Sequence, residues 1–193
     1  MGYTHFDKVC GVTGLGVGEK GSEVVVATSA GVLTHSGTAI TASAAEINRN
    51  NDVSSRLVTL TADTTITEAL HEGKTCLLGE VGGNAQLTVT LPEATGSGAK
   101  YRFVVSVVNT SNYVIAALTT DTFSGGIVMN DGATCQGFFA NGTDDKMTMN
   151  GTTTGGVTIG DWVQFEDILD TTWHVTGVIS GSGTEATPFA ATT

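Results

Sequence analysis

From residue 86 onward the apolar positions of this chain fall on alternate residues. Leu87, Val89 and Leu91 share one face and Gln86, Thr88 and Thr90 the other, the alternation of a half-buried strand. Residues 100–108 do the same with Tyr101, Phe103, Val105 and Val107 on one side and Arg102, Val104, Ser106 and Val108 opposite. Apolar groups stand on both sides of that strand, so it reads as covered on both faces. Further strands are predicted over 57–61, 75–79, 112–118, 126–129, 135–140, 146–149, 161–167 and 172–180. Turn signals separate them: Gly82 to Asn84, Glu93 to Gly98, Asn109 to Asn112, Asn130 to Gly132, Asn141-Gly142 and Asn150 to Gly156. The pattern predicts an all-β fold over 57–193, a β-sandwich or barrel-like domain of many short antiparallel strands.

The period changes upstream. At 41–56 the chain carries a helix signal, with Ser43 as N-cap, Glu46 completing a capping box, and Asn50 and Asn51 ending the helix near Asp52. A helix of about two turns is unstable alone and must dock on a neighbour, which makes Ile47 a subunit-interface residue. Residues 1–40 hold one β-branched run at 23–28. Tyr3, Phe6, Val9, Val12, Leu15 and Val17 follow no helical or strand period, and glycines at 11, 14, 16, 18 and 21 oppose a helix. This segment reads as an extended N-terminal arm whose apolar side chains need another surface.

Composition sharpens the picture. Of 193 residues 26 are Gly, Thr is still more frequent, and only 14% are charged, as suits strands joined by tight connections. The formal net charge of −11 opposes binding to nucleic acid phosphates. The three cysteines, Cys10, Cys76 and Cys135, show no CxxC spacing and read as small core residues. No signal-peptide pattern opens the chain and no apolar run approaches the roughly 20 residues of a membrane span, so assembly in a cytoplasm is expected.

Candidate chemistry is sparse. Gly16 to Gly21 matches the letters GxGxxG but lacks the preceding strand and following helix of a dinucleotide site. Asp161, Glu166, Asp167 and Asp170 could pair carboxylates for glycosidic cleavage, and that cluster or Asp144 with Asp145 could offer oxygen ligands to calcium. Neither shows the required arrangement, and solvated loop carboxylates are the simpler reading. His5, His35, His71 and His174 lack ligand spacing and read as surface or interface residues. Trp162 and Trp173 are expected in core or subunit packing, with a sugar-stacking platform as the lesser use. Asn-x-Ser/Thr matches at Asn109, Asn141 and Asn150 are expected by chance in so Thr-rich a chain.

Several stretches carry a resemblance. ITASAAEIN at 40–48 resembles the LTATAAELN-type junction that precedes a β-rich exterior domain in tailed-bacteriophage virion proteins. LPEATGSGAKYRFVV at 91–105, NGTTTGG at 150–156, GDWVQFEDI at 160–168 and GTEATPF at 183–189 are similar to phage head-decoration and fibre-type structural proteins. The resemblance implies a virion structural role and no chemistry, in head or tail, and within it the expected reading is a non-enzymatic decoration or cement protein on the capsid exterior, with no catalytic, cofactor-binding or metal-ligating residue. With the major capsid protein as partner, the apolar arm residues Tyr3, Phe6, Val9, Leu15 and Val17, which lie outside the resemblance, are expected to touch it, and a homotrimer is expected with Ile47, Trp162 and Trp173 at its subunit interface. Neither nucleic acid nor membrane is an expected partner. The alternative is a head or tail fibre domain that recognises a host surface glycan.

Overall fold

Alternation along a strand decides which face a residue takes but not which strand lies beside it, and the pairing is where this fold departs from expectation. The computed structural model describes residues 56–192 apart from 83, 109 and 119, together with the strand pair β1 (Thr34–His35) and β2 (Thr38–Ala39). The chain divides into two compact units, Met1–Ile47 and Asn48–Thr193. In the first, β1 and β2 pair antiparallel. The expected strand at 23–28, the capped helix, Ile47 and the five arm residues Tyr3, Phe6, Val9, Leu15 and Val17 lie outside the described residues, as do Cys10 and His5.

Among the described residues, the regular elements of the second unit are strands apart from one short helix. In chain order they are β3 (Leu57–Leu60), β4 (Thr64–Thr65), β5 (Thr75–Leu78), β6 (Leu87–Thr90), β7 (Lys100–Val105) and β8 (Tyr113–Ala116), then β9 (Thr122–Asn130), β10 (Cys135–Phe139), β11 (Lys146–Met149), β12 (Trp162–Leu169), β13 (Thr172–Ser180) and β14 (Phe189–Ala190). One short helix, α1 (Glu68–His71), links β4 to β5. A seven-stranded sheet runs in the order β10-β9-β13-β12-β7-β5-β3 and a five-stranded sheet in the order β14-β11-β8-β6-β4.

From β3 to β8 the chain passes back and forth between the sheets. Each of β3, β5 and β7 lies parallel to the next in the larger sheet, and each of β4, β6 and β8 parallel to the next in the smaller one. Parallel neighbours need a long crossover, and here that crossover is a strand of the opposite sheet instead of a helix. The second half closes the unit mostly with antiparallel pairs. β12 adds to β7, β13 folds back on β12, and β11 and β14 extend the smaller sheet. β9 then pairs with β13, parallel over its whole length from Thr122↔Thr172 to Asn130↔Ser180. The sheets are therefore mixed, which corrects the antiparallel expectation: hairpin-length turns between strands suggested local pairing, whereas most of these turns carry the chain to the other sheet.

Inward positions of both sheets meet in one hydrophobic core. Leu78, Tyr101, Phe103, Phe123, Phe165 and Trp173 enter it from the larger sheet and Leu87, Val89, Ile115, Met147 and Phe189 from the smaller. β12 and β13 approach closely where Gly177 pairs with Val163, and a Cβ at Gly177 would lie 2.5 Å from the Trp162 carbonyl oxygen and 2.8 Å from Val163 Cγ1. Gly177→Ala should thus cost about 1–3 kcal/mol by overpacking a strand pair that cannot separate without breaking its ladder. An unchanged urea midpoint would show that the pair can move apart freely.

Candidate functional site

Strand register places a row of apolar side chains across the outer face of the larger sheet. Val128 on β9 stands beside Val178 on β13, Val178 beside Trp162 on β12, Trp162 beside Val104 on β7, and Val104 beside Leu77 on β5. Their sequence neighbours on either side, among them Ile127, Met129, Val163, Phe103, Val105, Cys76 and Leu78, are buried in the core, so the row itself points away from it. Val128 is 40% and Val178 49% exposed, and Trp162, Val104 and Leu77 are half-buried. This is an open apolar stripe on a sheet with parallel strand pairs, a kind of sheet that proteins ordinarily cover on both faces.

The next outward row is mixed. Phe139 on β10 lies over the backbone of Gly126, followed by Thr176, Gln164, Arg102 and Thr75. The Arg102 guanidinium carbon sits 4.3 Å from the centre of the Trp162 ring, a cation–π stack that covers the indole from one side. The third row is polar, with Ser124, His174, Glu166 and Lys100 side by side. Lys100 Nζ and Glu166 Oε1 are 3.0 Å apart, an exposed pair that fixes side chains more than it adds stability. The apolar row thus runs near one end of the strands, with Trp162 opening β12 and Val104 and Leu77 next to last in β7 and β5, and the polar row lies beyond the mixed one.

The carboxylates of the expected glycosidic or calcium cluster are not gathered. Asp167 is 2% exposed and turned into the loop before β7. It accepts the N–H groups of Thr95, Gly96 and Ser97 at 2.7–3.1 Å and the hydroxyls of Thr95 and Ser97 at 3.2 and 2.8 Å. Burial pushes this carboxyl up, and those bonds from Thr95, Ser97 and Gly96 outweigh it and hold the group below the usual aspartate range. Gly96, at φ 74, supplies the left-handed turn that aims its N–H at the carboxylate.

Asp161 Oδ1 accepts the Ser180 hydroxyl at 2.9 Å and its Oδ2 the Thr158 N–H at 3.2 Å. Asp144 takes the Asn141 N–H at 2.9 Å, while its neighbour Asp145 takes the N–H and hydroxyl of Thr192 at 2.6 and 2.7 Å. Asp121, which the sequence did not mark, is fully buried and accepts the Ala94 N–H at 2.8 Å. The sequence reading placed the Asp161, Glu166, Asp167 and Asp170 cluster in water; Asp170 is exposed, but Asp161 and Asp167 are buried, and with Asp121, Asp144 and Asp145 each accepts a backbone N–H that no sheet pairs. Among the described residues no group of three or more His, Cys, Asp or Glu is placed to hold a metal ion.

The remaining candidates divide. Trp173 is fully buried, its ring 5.7 Å from that of Tyr101, and its indole N–H has no hydrogen-bond partner. That leaves Trp162 as the tryptophan open to a neighbour. His71 departs from the surface reading: it is buried, with Nδ1 3.0 Å from the Thr67 nitrogen at the start of α1. His174 stays on the outer face. Cys76 is a core residue, its thiol pushed up to about 11 by burial, but Cys135 is exposed on β10, against the core expectation. β7 ends at Val105, so Val107 and Val108 lie exposed beyond the strand predicted to include them. Compared with protein-family models, curated proteins and solved structures, the chain finds no match.

Proposed function

We propose that this is a non-enzymatic virion structural protein, a decoration or cement protein bound to the outer surface of a tailed-phage capsid. The observation that carries the reading is the junction-like ITASAAEIN at 40–48 ahead of an all-β unit. The buried carboxylates support a binding role over a hydrolytic one, since Asp161 and Asp167 hold loops and are shielded from a substrate. In this reading the two sheets form the faces of a sandwich, residues 1–40 are the attachment arm, and the major capsid protein is the partner. Bound only to the assembled lattice, each copy stabilises the shell by linkage against the pressure of packaged DNA. Copies associate as homotrimers, because cyclic symmetry covers strand edges and open faces. In the alternative reading, a fibre domain, a host glycan would stack on Trp162, whose ring already carries Arg102 on one side.

Co-sedimentation with heads stripped of this protein tests the proposal. The full chain is expected to pellet with heads, a chain lacking residues 1–22 to stay folded and remain in the supernatant, and Phe6→Asp to bind weakly with an unchanged circular dichroism spectrum. Full occupancy by the truncated chain would move the capsid contact into the β unit, and failure of the intact chain to bind would remove the decoration reading.

A further inference from the structure

We propose that the outer face of the seven-stranded sheet, with its apolar stripe of Val128, Val178, Trp162, Val104 and Leu77, is the seat of a second copy of this chain. This deepens the homotrimer reading by naming the surface on which copies meet. Size is the first argument. Seven strands at about 4.8 Å spacing make the face about 29 Å wide, and its rows extend about 20 Å along the strands. That is a projected patch of roughly 600 Å², which side-chain relief brings close to the ~800 Å² per partner of a standard interface. The apolar stripe lies toward one end of the strands and the polar row of Ser124, His174, Glu166 and Lys100 toward the other, so burial removes the stripe from water and leaves Lys100 and Glu166 at the rim.

Charge is the second argument, and it selects the occupant. The outward positions of this sheet carry Lys100 and Arg102 against Glu166, a formal +1 with His174 neutral, on a chain of net charge −11. The remainder of the chain therefore holds −11 − (+1) = −12. A face depleted of acid on so acidic a protein is complementary to the rest of another copy, and no foreign acidic partner is needed to account for it. A contact between this face and a different surface of the neighbour is heterologous, the type that closes into rings such as a trimer.

Arg102 has a defined part in this contact. Stacked on Trp162, it holds the indole in place and presents a guanidinium beside the apolar stripe, and tryptophan and arginine are among the residue types enriched where interfaces concentrate their binding energy.

The test is sedimentation equilibrium of the full chain in solution, without capsids, across the micromolar range. The wild type should be multimeric. Val178→Glu and Val128→Glu should each weaken association by roughly 100-fold. Both side chains are exposed, so circular dichroism and the thermal midpoint of the monomer should be unchanged, and Val178→Ile should associate as the wild type does. If a glutamate disturbs folding, the milder Val178→Thr and the charge reversal Arg102→Glu carry the same test.

A monomeric wild type would overturn the proposal and the homotrimer with it. A multimer untouched by every variant would overturn the assignment of the face alone. Variants that stay multimeric but no longer pellet with heads would give the face to the capsid instead. The first two outcomes are read without capsids and do not depend on whether the arm binds them, which the co-sedimentation of the truncated chain decides separately.

Discussion

Asp167→Ala should lower the thermal midpoint of the β unit by roughly 10 °C, the equivalent of about 3 kcal/mol in a domain of this size. The carboxylate it removes is the common acceptor of three backbone N–H groups and two hydroxyls from Thr95, Gly96 and Ser97. Truncation leaves those donors facing an empty, partly buried site, and an unmade buried bond costs more than a made one contributes. The same residue predicts a pH dependence. Its folded value lies below the ordinary 3.8, so its contribution is fully present above that value and is lost as pH falls through the lower folded one. The wild type should therefore lose stability more steeply than Asp167→Asn as pH falls below 3.8. Chemical denaturation at a series of pH values measures both effects. Parallel curves for the two proteins would mean that the loop finds other acceptors and that Asp167 carries little of the acid sensitivity.

Period-two alternation made the strands legible, because a strand buried on one face must alternate to keep its apolar set together. β11 and β13 have the boundaries the pattern predicts, and β3, β5, β6 and β8 differ from theirs by one or two residues. β9 was half-missed for a physical reason. The prediction covers 126–129, whereas β9 starts at Thr122, because Gly125 and Gly126 carry no side chain to show a period yet stay in the sheet, where a Cβ at Gly125 would collide with His174 and one at Gly126 with Phe139. The two-residue strands β4 and β14 are too short to show a period, and α1 is a single turn whose N-cap Thr67 makes no side-chain capping bond.

Strand direction was not legible, since pairing between strands distant in sequence depends on the whole topology. The outer stripe was partly visible. Val104 on the face opposite Tyr101 and Phe103 indicated a strand covered on both sides, but Val128, Val178, Trp162 and Leu77 join it only through register. The buried aspartates gave a weaker signal: each stands at or near a strand end beside a Thr-, Ser- or Gly-rich loop, where backbone N–H groups lack sheet partners.

Phe165→Ala should destabilise the β unit by about 3–5 kcal/mol while leaving its unfolding a single transition. Phe165 stands where the two halves of the fold join. On β12 it pairs with Tyr101 of β7, the last strand that the back-and-forth segment adds to the larger sheet, and with Val175 of β13. Its ring meets Phe103 at 6.2 Å between centroids and Phe123 at 4.9 Å, both in tilted or edge-on geometry, so one side chain links β7, β12 and β9 through the core. Removing it opens a fully buried cavity lined by aromatic rings held in paired strands, which relax little to fill it. Because strands of both halves contribute to that one core, the loss should be felt by the whole unit at once. Urea denaturation followed by tryptophan fluorescence and by far-ultraviolet circular dichroism provides the check, since Trp173 reports on the second half and the dichroism on both. Coincident curves with a lowered midpoint are expected. Two separated transitions would show that the β3–β8 segment and the strands after it are independently stable, and that the shared core couples them less than its packing implies.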